Sequence, residues 1–210
     1  MNKNIFVTGI GTGVGKTVVC AALAEALEAD YWKPVQAGNL DDTDSMTVRR
    51  LLSNPVSVVH PETYRLQSSM SPHAAAKIDG TEIEPDDFIV PKTPRRLIIE
   101  GAGGLMVPLN DNFLVMDLIE RLNVRVVLVS RIYLGNINHT LLSAEALNRR
   151  NIPVAGIIFN GKENKETEKF IARYTDLPVI GRMDEAVEVN KEMIKRNAQS
   201  LQVKLAEMKG

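Results

Sequence analysis

The sequence predicts an α/β fold with a mostly parallel central sheet and helices on both faces. Three observations predict it. Short apolar runs alternate with helical patterns along most of the chain, as in a parallel sheet covered on both sides. The runs are nearly continuous, as strands buried on both faces are. A glycine-rich segment joins the first run to an alanine-rich helix.

The first strand is read at residues 5–8, around Ile5-Phe6-Val7. A helix over residues 16–29 is apolar nearly all round and is therefore expected to be buried. A second strand is read at 31–35 and a helix at 43–53, opened by Asp41-Asp42-Thr43-Asp44. Residues 55–93 are rich in Pro, Ser, Asp and Glu and read as loops around a short helix at 71–77. Strands at 96–100, 125–129 and 154–160, with a shorter one at 178–181, alternate with helices at 115–122, 137–149 and 164–174. The segment 186–208 is amphipathic, with Val187, Ile194, Ala198, Leu201, Leu205 and Met208 near a 3.6-residue period. It reads as a helix packed on its own domain rather than on a membrane or a partner.

A length of 210 residues favours one domain over 1–210, large enough to fold without staples. The net charge of −1 argues against the broad basic field of nucleic-acid binders. Cys20 is the one cysteine, which excludes an internal disulfide, and its apolar neighbours mark it as a buried small residue. No run approaches the ~20 apolar residues of a membrane helix, and the apolar start is too short for a secretory leader. A cytoplasmic protein with no membrane or nucleic-acid partner is expected.

Gly9-Ile10-Gly11-Thr12-Gly13-Val14-Gly15-Lys16-Thr17 carries the strongest chemical signal. Between a strand and a helix, such glycines curl the backbone so that successive N–H groups face an anion. The helix N-terminus adds about half a positive charge there. Lys16 is then placed for β- and γ-phosphates, and the Thr17 hydroxyl for magnesium. The fold class sharpens to one like the P-loop NTPases. Gly9 and Gly15 enclose five residues where the general pattern has four, so the loop is a variant.

Lys33, in Trp32-Lys33-Pro34-Val35, is expected at a strand's carboxyl end, facing the same crevice. Asp44 has two readings, a helix-capping acid or a magnesium ligand. Glu100, before Gly101-Ala102-Gly103-Gly104, reads as an acidic metal residue or a strand-end charge reaching water, and the glycines would let the backbone approach a nucleotide. Gly135-Asn136-Ile137-Asn138-His139 opens a helix, either as a carboxylate site or an ordinary cap. Asn160-Gly161 closes a strand, where Asn160 either reads a base edge or forms a turn.

Together these segments resemble the dethiobiotin synthetases, over most of the chain. The Gly-x5-Gly-Lys-Thr spacing is similar to that family's loop, as are Lys33-Pro34-Val35, Asp44, Ser71-Pro72-His73, the Glu100 glycine segment, Leu134-Gly135 with Ile137-Asn138-His139, and Asn160. The resemblance implies a homodimer that closes a cyclic urea from 7,8-diaminononanoate, CO2 and ATP, with Mg2+ as cofactor. It implies catalytic roles for Lys16 and Lys33, and magnesium ligation by Thr17, Asp44 and Glu100. ATP contacts are implied for Gly13, Val14, Gly15, Lys16, Thr17, Val18, Asp44, Glu100, Gly101, Ala102, Gly103 and, at adenine, Asn160. Substrate contacts are implied for Thr12, Lys33, Ala37 (through its backbone), and for Gly135, Asn136 and Asn138 across the dimer.

Two rival readings compete. An amide synthase of related fold needs a nucleophilic cysteine and a further domain, which Cys20 and the chain length do not supply. A dimerising ATPase of the partitioning type, stimulated by a partner, usually carries a second lysine early in the loop, where this chain has Gly11.

Overall fold

A computed structural model describes residues 3–183 and 186–207. In chain order the elements are β1 (Ile5–Gly9), α1 (Lys16–Leu27), β2 (Asp30–Trp32), β3 (Val35–Ala37), α2 (Asp44–Leu51), β4 (Tyr64–Leu66) and α3 (Pro72–Ile78). Then follow β5 (Leu97–Gly104), β6 (Pro108–Asn110), β7 (Phe113–Leu114), α4 (Val115–Leu122), β8 (Arg125–Arg131) and α5 (Asn136–Arg149). The chain finishes with β9 (Val154–Asn160), α6 (Lys165–Thr175), β10 (Val179–Met183) and α7 (Lys191–Glu207).

Six strands form one sheet in the order β10-β9-β8-β1-β5-β2, and every pairing in it is parallel. Successive side chains alternate between its faces. Ile5, Val7, Ile98, Val127 and Val129 face α1, α2 and α7, whereas Phe6, Leu97, Ile99 and Val126 face α3, α4 and Leu147 of α5. A smaller cluster seats Ile171 of α6 against Leu128, Ile157 and Phe159. The predicted α/β class therefore holds. So does the burial of α1 and of Cys20.

Four expectations are corrected. The strand read at 31–35 breaks after Trp32, because Pro34 has no N–H to donate to a ladder. Its second half, β3, instead pairs with β4 in a separate two-stranded sheet. The segment 55–93 is more ordered than loops around one helix, since it supplies β4, a 3₁₀ turn at Pro85–Asp87, and the buried side chains Leu66, Ile83 and Phe88. Glu100 does not end its strand, because β5 runs on through Gly104. The last helix begins at Lys191, which leaves Val187 exposed ahead of it. Ile194, Ala198 and Leu201 are buried as read, Leu205 packs on the same core, and Met208 lies outside the described residues.

Candidate active site

The carboxyl ends of the parallel strands meet the glycine loop at a cleft of about 710 Å³. Such a crevice is where ligands of open α/β sheets bind. β1 delivers the loop and α1 begins on Lys16. Gly15 takes φ 92°, and a Cβ there would lie 2.1 Å from Asn160 Nδ2, so a side chain is excluded twice over. The Asn160 amide donates to the Val14 carbonyl at 2.8 Å, and the Arg131 guanidinium donates to the Gly13 carbonyl at 3.0 Å. Both clamp the loop carbonyls from outside.

Lys16 is buried, with Nζ donating to Gly11 O at 3.0 Å across its own loop. Burial lowers its pKa, Glu100 opposes that, and Lys33 reinforces it. Lys33 is 5% exposed and donates to Asp44 and to Glu100 Oε1, the latter at 3.2 Å. Burial would depress its pKa, but Glu100 and Asp44 outweigh burial and raise it, so Lys33 stays cationic. Asp44 is shifted the other way: burial opposes ionisation, and Lys33 lowers its pKa nonetheless. Lysine and carboxylate stabilise each other's charged forms.

Glu100 is 1% exposed. Its Oε1 accepts from Thr17 Oγ1 at 2.9 Å and from Lys33, and its Oε2 accepts from Tyr31 Oη at 2.8 Å. A water-facing strand-end charge is thereby excluded. Burial first, then the charge of Glu100, pushes the Tyr31 pKa well up, so Tyr31 remains a donor. The cap of α2 is likewise reassigned. Thr43 accepts from Met46 N, while Asp44 follows it and turns to Lys33. Gln36, unremarked in the sequence, joins Gly38 O at 2.8 Å to Asp44 N at 3.4 Å.

Of the predicted residues, Thr12, Gly13, Gly15, Lys16, Thr17, Val18, Lys33, Ala37, Asp44, Glu100, Ala102 and Gly103 line this cleft. Val14, Gly101 and Asn160 do not. Val14 is buried beneath the loop. A Cβ on Gly101 would meet the Phe6 ring at 2.7 Å, so packing against Phe6 alone requires a glycine there.

Gly135, Asn136 and Asn138 also stand apart, at the start of α5. Beside that helix a second cleft of about 560 Å³ is lined by Gly9–Thr12, Gly104–Val107 and the α5 side chains His139 and Leu142. Asn136 is buried, and its Nδ2 has no partner among the described residues. Exposed apolar side chains surround this region, with Leu134 at 102%, Met106 at 62% and Leu142 at 61%.

The donor set at the first cleft suits a hard cation. The Thr17 hydroxyl donates its hydrogen bond to Glu100, which leaves its oxygen lone pairs free beside two carboxylates. Among the described residues no three acidic, His or Cys side chains gather into a self-sufficient metal cage. These oxygens fit a magnesium ion that brings phosphate and water ligands of its own.

The family described as "AAA domain" matches residues 3–193. An ATP-dependent dethiobiotin synthetase of Christiangramia forsetii is 50% identical over 208 residues, 99% of this chain and 100% of that protein. One of Cytophaga hutchinsonii is 51% identical over 193 residues, 91% of this chain and 93% of that protein. This chain belongs to the dethiobiotin synthetase family. A synthetase of Rhodopseudomonas palustris is 48% identical, covering 93% of this chain and 92% of its own. Among solved structures, a ParA family ATPase of Chlorobium tepidum matches at TM-score 0.55 and 16% identity, over 98% of this chain and 96% of its own. The MinC:MinD complex of Aquifex aeolicus matches at 0.58 and 12%, over 98% and 95%. At those identities the likeness is one of fold alone, and it does not favour the partitioning ATPase over the synthetase.

Proposed function

We propose that this chain is an ATP-dependent dethiobiotin synthetase, closing the ureido ring from 7,8-diaminononanoate, CO2 and MgATP in biotin biosynthesis. The supporting observation is the convergence of Lys16, Lys33, Thr17, Asp44 and Glu100 on one cleft, in a chain about half identical to such synthetases along its length. Ring closure by this route needs three steps. One substrate amine attacks CO2 to give a carbamate. A carbamate oxygen attacks the γ-phosphorus and releases ADP, and the second amine then attacks the carbamoyl carbon and expels phosphate.

Phosphoryl transfer asks a protein for alignment and charge neutralisation above all. Lys33, whose cationic form Glu100 and Asp44 favour, faces the crevice and holds the carbamate oxygens. Lys16 leaves Gly11 O for the β- and γ-phosphates. Thr17, Asp44 and Glu100 would hold magnesium, which supplies further neutralisation of the phosphate charge. Gly13, Gly15, Val18, Ala102 and Gly103 shape the walls for the nucleotide, with Val14 and Gly101 behind them. Asn160 stands at the loop edge for adenine, and Thr12 with the Ala37 backbone faces the diamine. The α5 start, with Gly135, Asn136 and Asn138, serves the substrate carboxylate of the facing protomer in a homodimer. The enzyme works as one domain in the cytoplasm; among the described residues no helix is long and apolar enough to cross a membrane.

Purified protein is expected to release phosphate from MgATP only when both the diamine and bicarbonate are present, with a product of dethiobiotin's mass. Clear ATP binding with no stimulation by diamine would sink the reading and leave a partner-driven ATPase.

A further inference from the structure

We propose that Tyr31 is a positioning residue for this cleft, its hydroxyl fixing the Glu100 carboxylate so that Oε1 alone is presented to the metal and nucleotide. The inference rests on the magnesium–phosphate reading above and deepens it.

β2 and β5 run parallel with Tyr31 beside Ile98. Glu100 lies two residues further along β5, on the face that Ile98 shares with Tyr31. Such diagonal neighbours lie within reach of a long aromatic side chain. The Tyr31 hydroxyl uses that reach. It donates to Oε2 at 2.8 Å in a wholly buried bond, whereas the donors to Oε1, Thr17 and Lys33, both belong to the cleft wall. One oxygen is thus tied to the core and the other turned to the ligand.

The ring alone does not account for the hydroxyl. Tyr31 is fully buried among apolar residues, where a phenylalanine would fill the same volume. A buried hydroxyl is favourable only with a partner, and a buried carboxylate is costly without donors. Without Tyr31, Glu100 keeps Thr17 and Lys33, which a bound nucleotide and metal must recruit, and from the core only the weakly donating Cys20 thiol. Partners of this kind orient metal-binding carboxylates, and their loss weakens metal affinity by about 10–100-fold.

The test is calorimetric binding of a non-hydrolysable ATP analogue, with and without magnesium. It compares the wild type, Tyr31→Phe, and Ile98→Val as a packing control on the register partner. Tyr31→Phe is expected to weaken binding with magnesium by about tenfold and to change metal-free binding far less, while Ile98→Val leaves both as they are. Wild-type affinity in Tyr31→Phe, or an equal loss with and without metal, overturns the role and assigns the hydroxyl to the core. The same substitution in a Glu100→Gln background, where no buried charge is left short of a donor, is expected to cost nothing further; an undiminished loss there also overturns it. A wild type indifferent to magnesium would instead strike at the metal reading itself, so the two failures are distinguishable.

Discussion

The β2–β5 strand pair buries two carboxylates, Asp30 near its amino end and Glu100 towards its carboxyl end, and their surroundings differ in one respect. Asp30 is closed. Its Oδ1 accepts from Val58 N at 2.9 Å and Arg95 Nε at 2.7 Å, and His60 Nε2 lies 3.1 Å from Oδ2. Val58 and His60 belong to the segment that runs beside the edge strand β2, and Arg95 to the lead-in of β5. Glu100 has one oxygen satisfied from the core, and the other met by two groups that line a cleft. Burying a carboxylate costs the same kind of energy in both places. At Asp30 the donors close loops onto the sheet, and at Glu100 they leave an oxygen where a ligand can compete for it.

The sharpest way to break the open end is Lys33→Ala. It removes the charge shared by Asp44 and Glu100 and the group placed for the carbamate. Turnover is expected to fall by about 10²–10³-fold, the scale for losing one preorganised charge-stabilising donor. Steady-state phosphate release with diamine checks it, and near-normal turnover would show that Lys33 only balances the carboxylates.

The closed end should break differently. Asp30→Asn leaves Arg95 without its ion pair and is expected to cost about 3 kcal/mol of unfolding free energy, at the low end for a broken buried pair because Arg95 is part-exposed. Turnover of the folded protein should not change. Asp30 also carries a pH signature. Burial works to raise its pKa, but Arg95 and the neighbouring donors prevail and hold it at about 2, against an ordinary 3.8. A depressed carboxylate contributes stability that is complete above the unfolded value and lost as pH falls through the folded one. Wild type should therefore shed stability from about pH 3.8 down to about 2, and Asp30→Asn should lack that component in denaturant titrations at each pH. An unchanged slope would mean the pair does not persist in solution.

The open end was largely legible in the sequence, because its chemistry sits in local motifs. Lys16 and Thr17 follow a glycine loop, and Lys33 and Glu100 lie late in apolar runs. Residues that act across distance were not legible. Tyr31 looked like one more apolar strand residue, since its hydroxyl matters only through the register that sets it near Glu100. Residues 55–93 were read as mostly loop because β4 is short and polar, and its partner β3 exists only because Pro34 ends the ladder of β2. Asn160 was placed at a strand end from sequence, but its bond to the Val14 carbonyl spans 146 residues and no spacing rule encodes it. The α5 start was legible as a motif, yet it does not meet the lysine cleft within one chain.

Gln36 is the subtlest of these distant supports and carries the smallest expected effect. It is buried beside the open end, with its amide spanning Gly38 O and Asp44 N. The first N–H groups of a helix have no partner within the helix. At α2 the Thr43 hydroxyl satisfies that of Met46 and Gln36 that of Asp44, so Gln36 helps set where the Asp44 carboxylate starts. Gln36→Leu keeps the bulk and removes both bonds. At 3.4 Å the bond to Asp44 N is long, so the loss should be about 1 kcal/mol, roughly a fivefold weakening of MgATP binding. Activity at saturating MgATP should be nearly unchanged, because Lys33 still holds Asp44. A fall in turnover with unaltered affinity would move Gln36 from the nucleotide side of the cleft to the diamine side. Ala37 and Ser69 would then be the next positions to substitute, since both line the same wall.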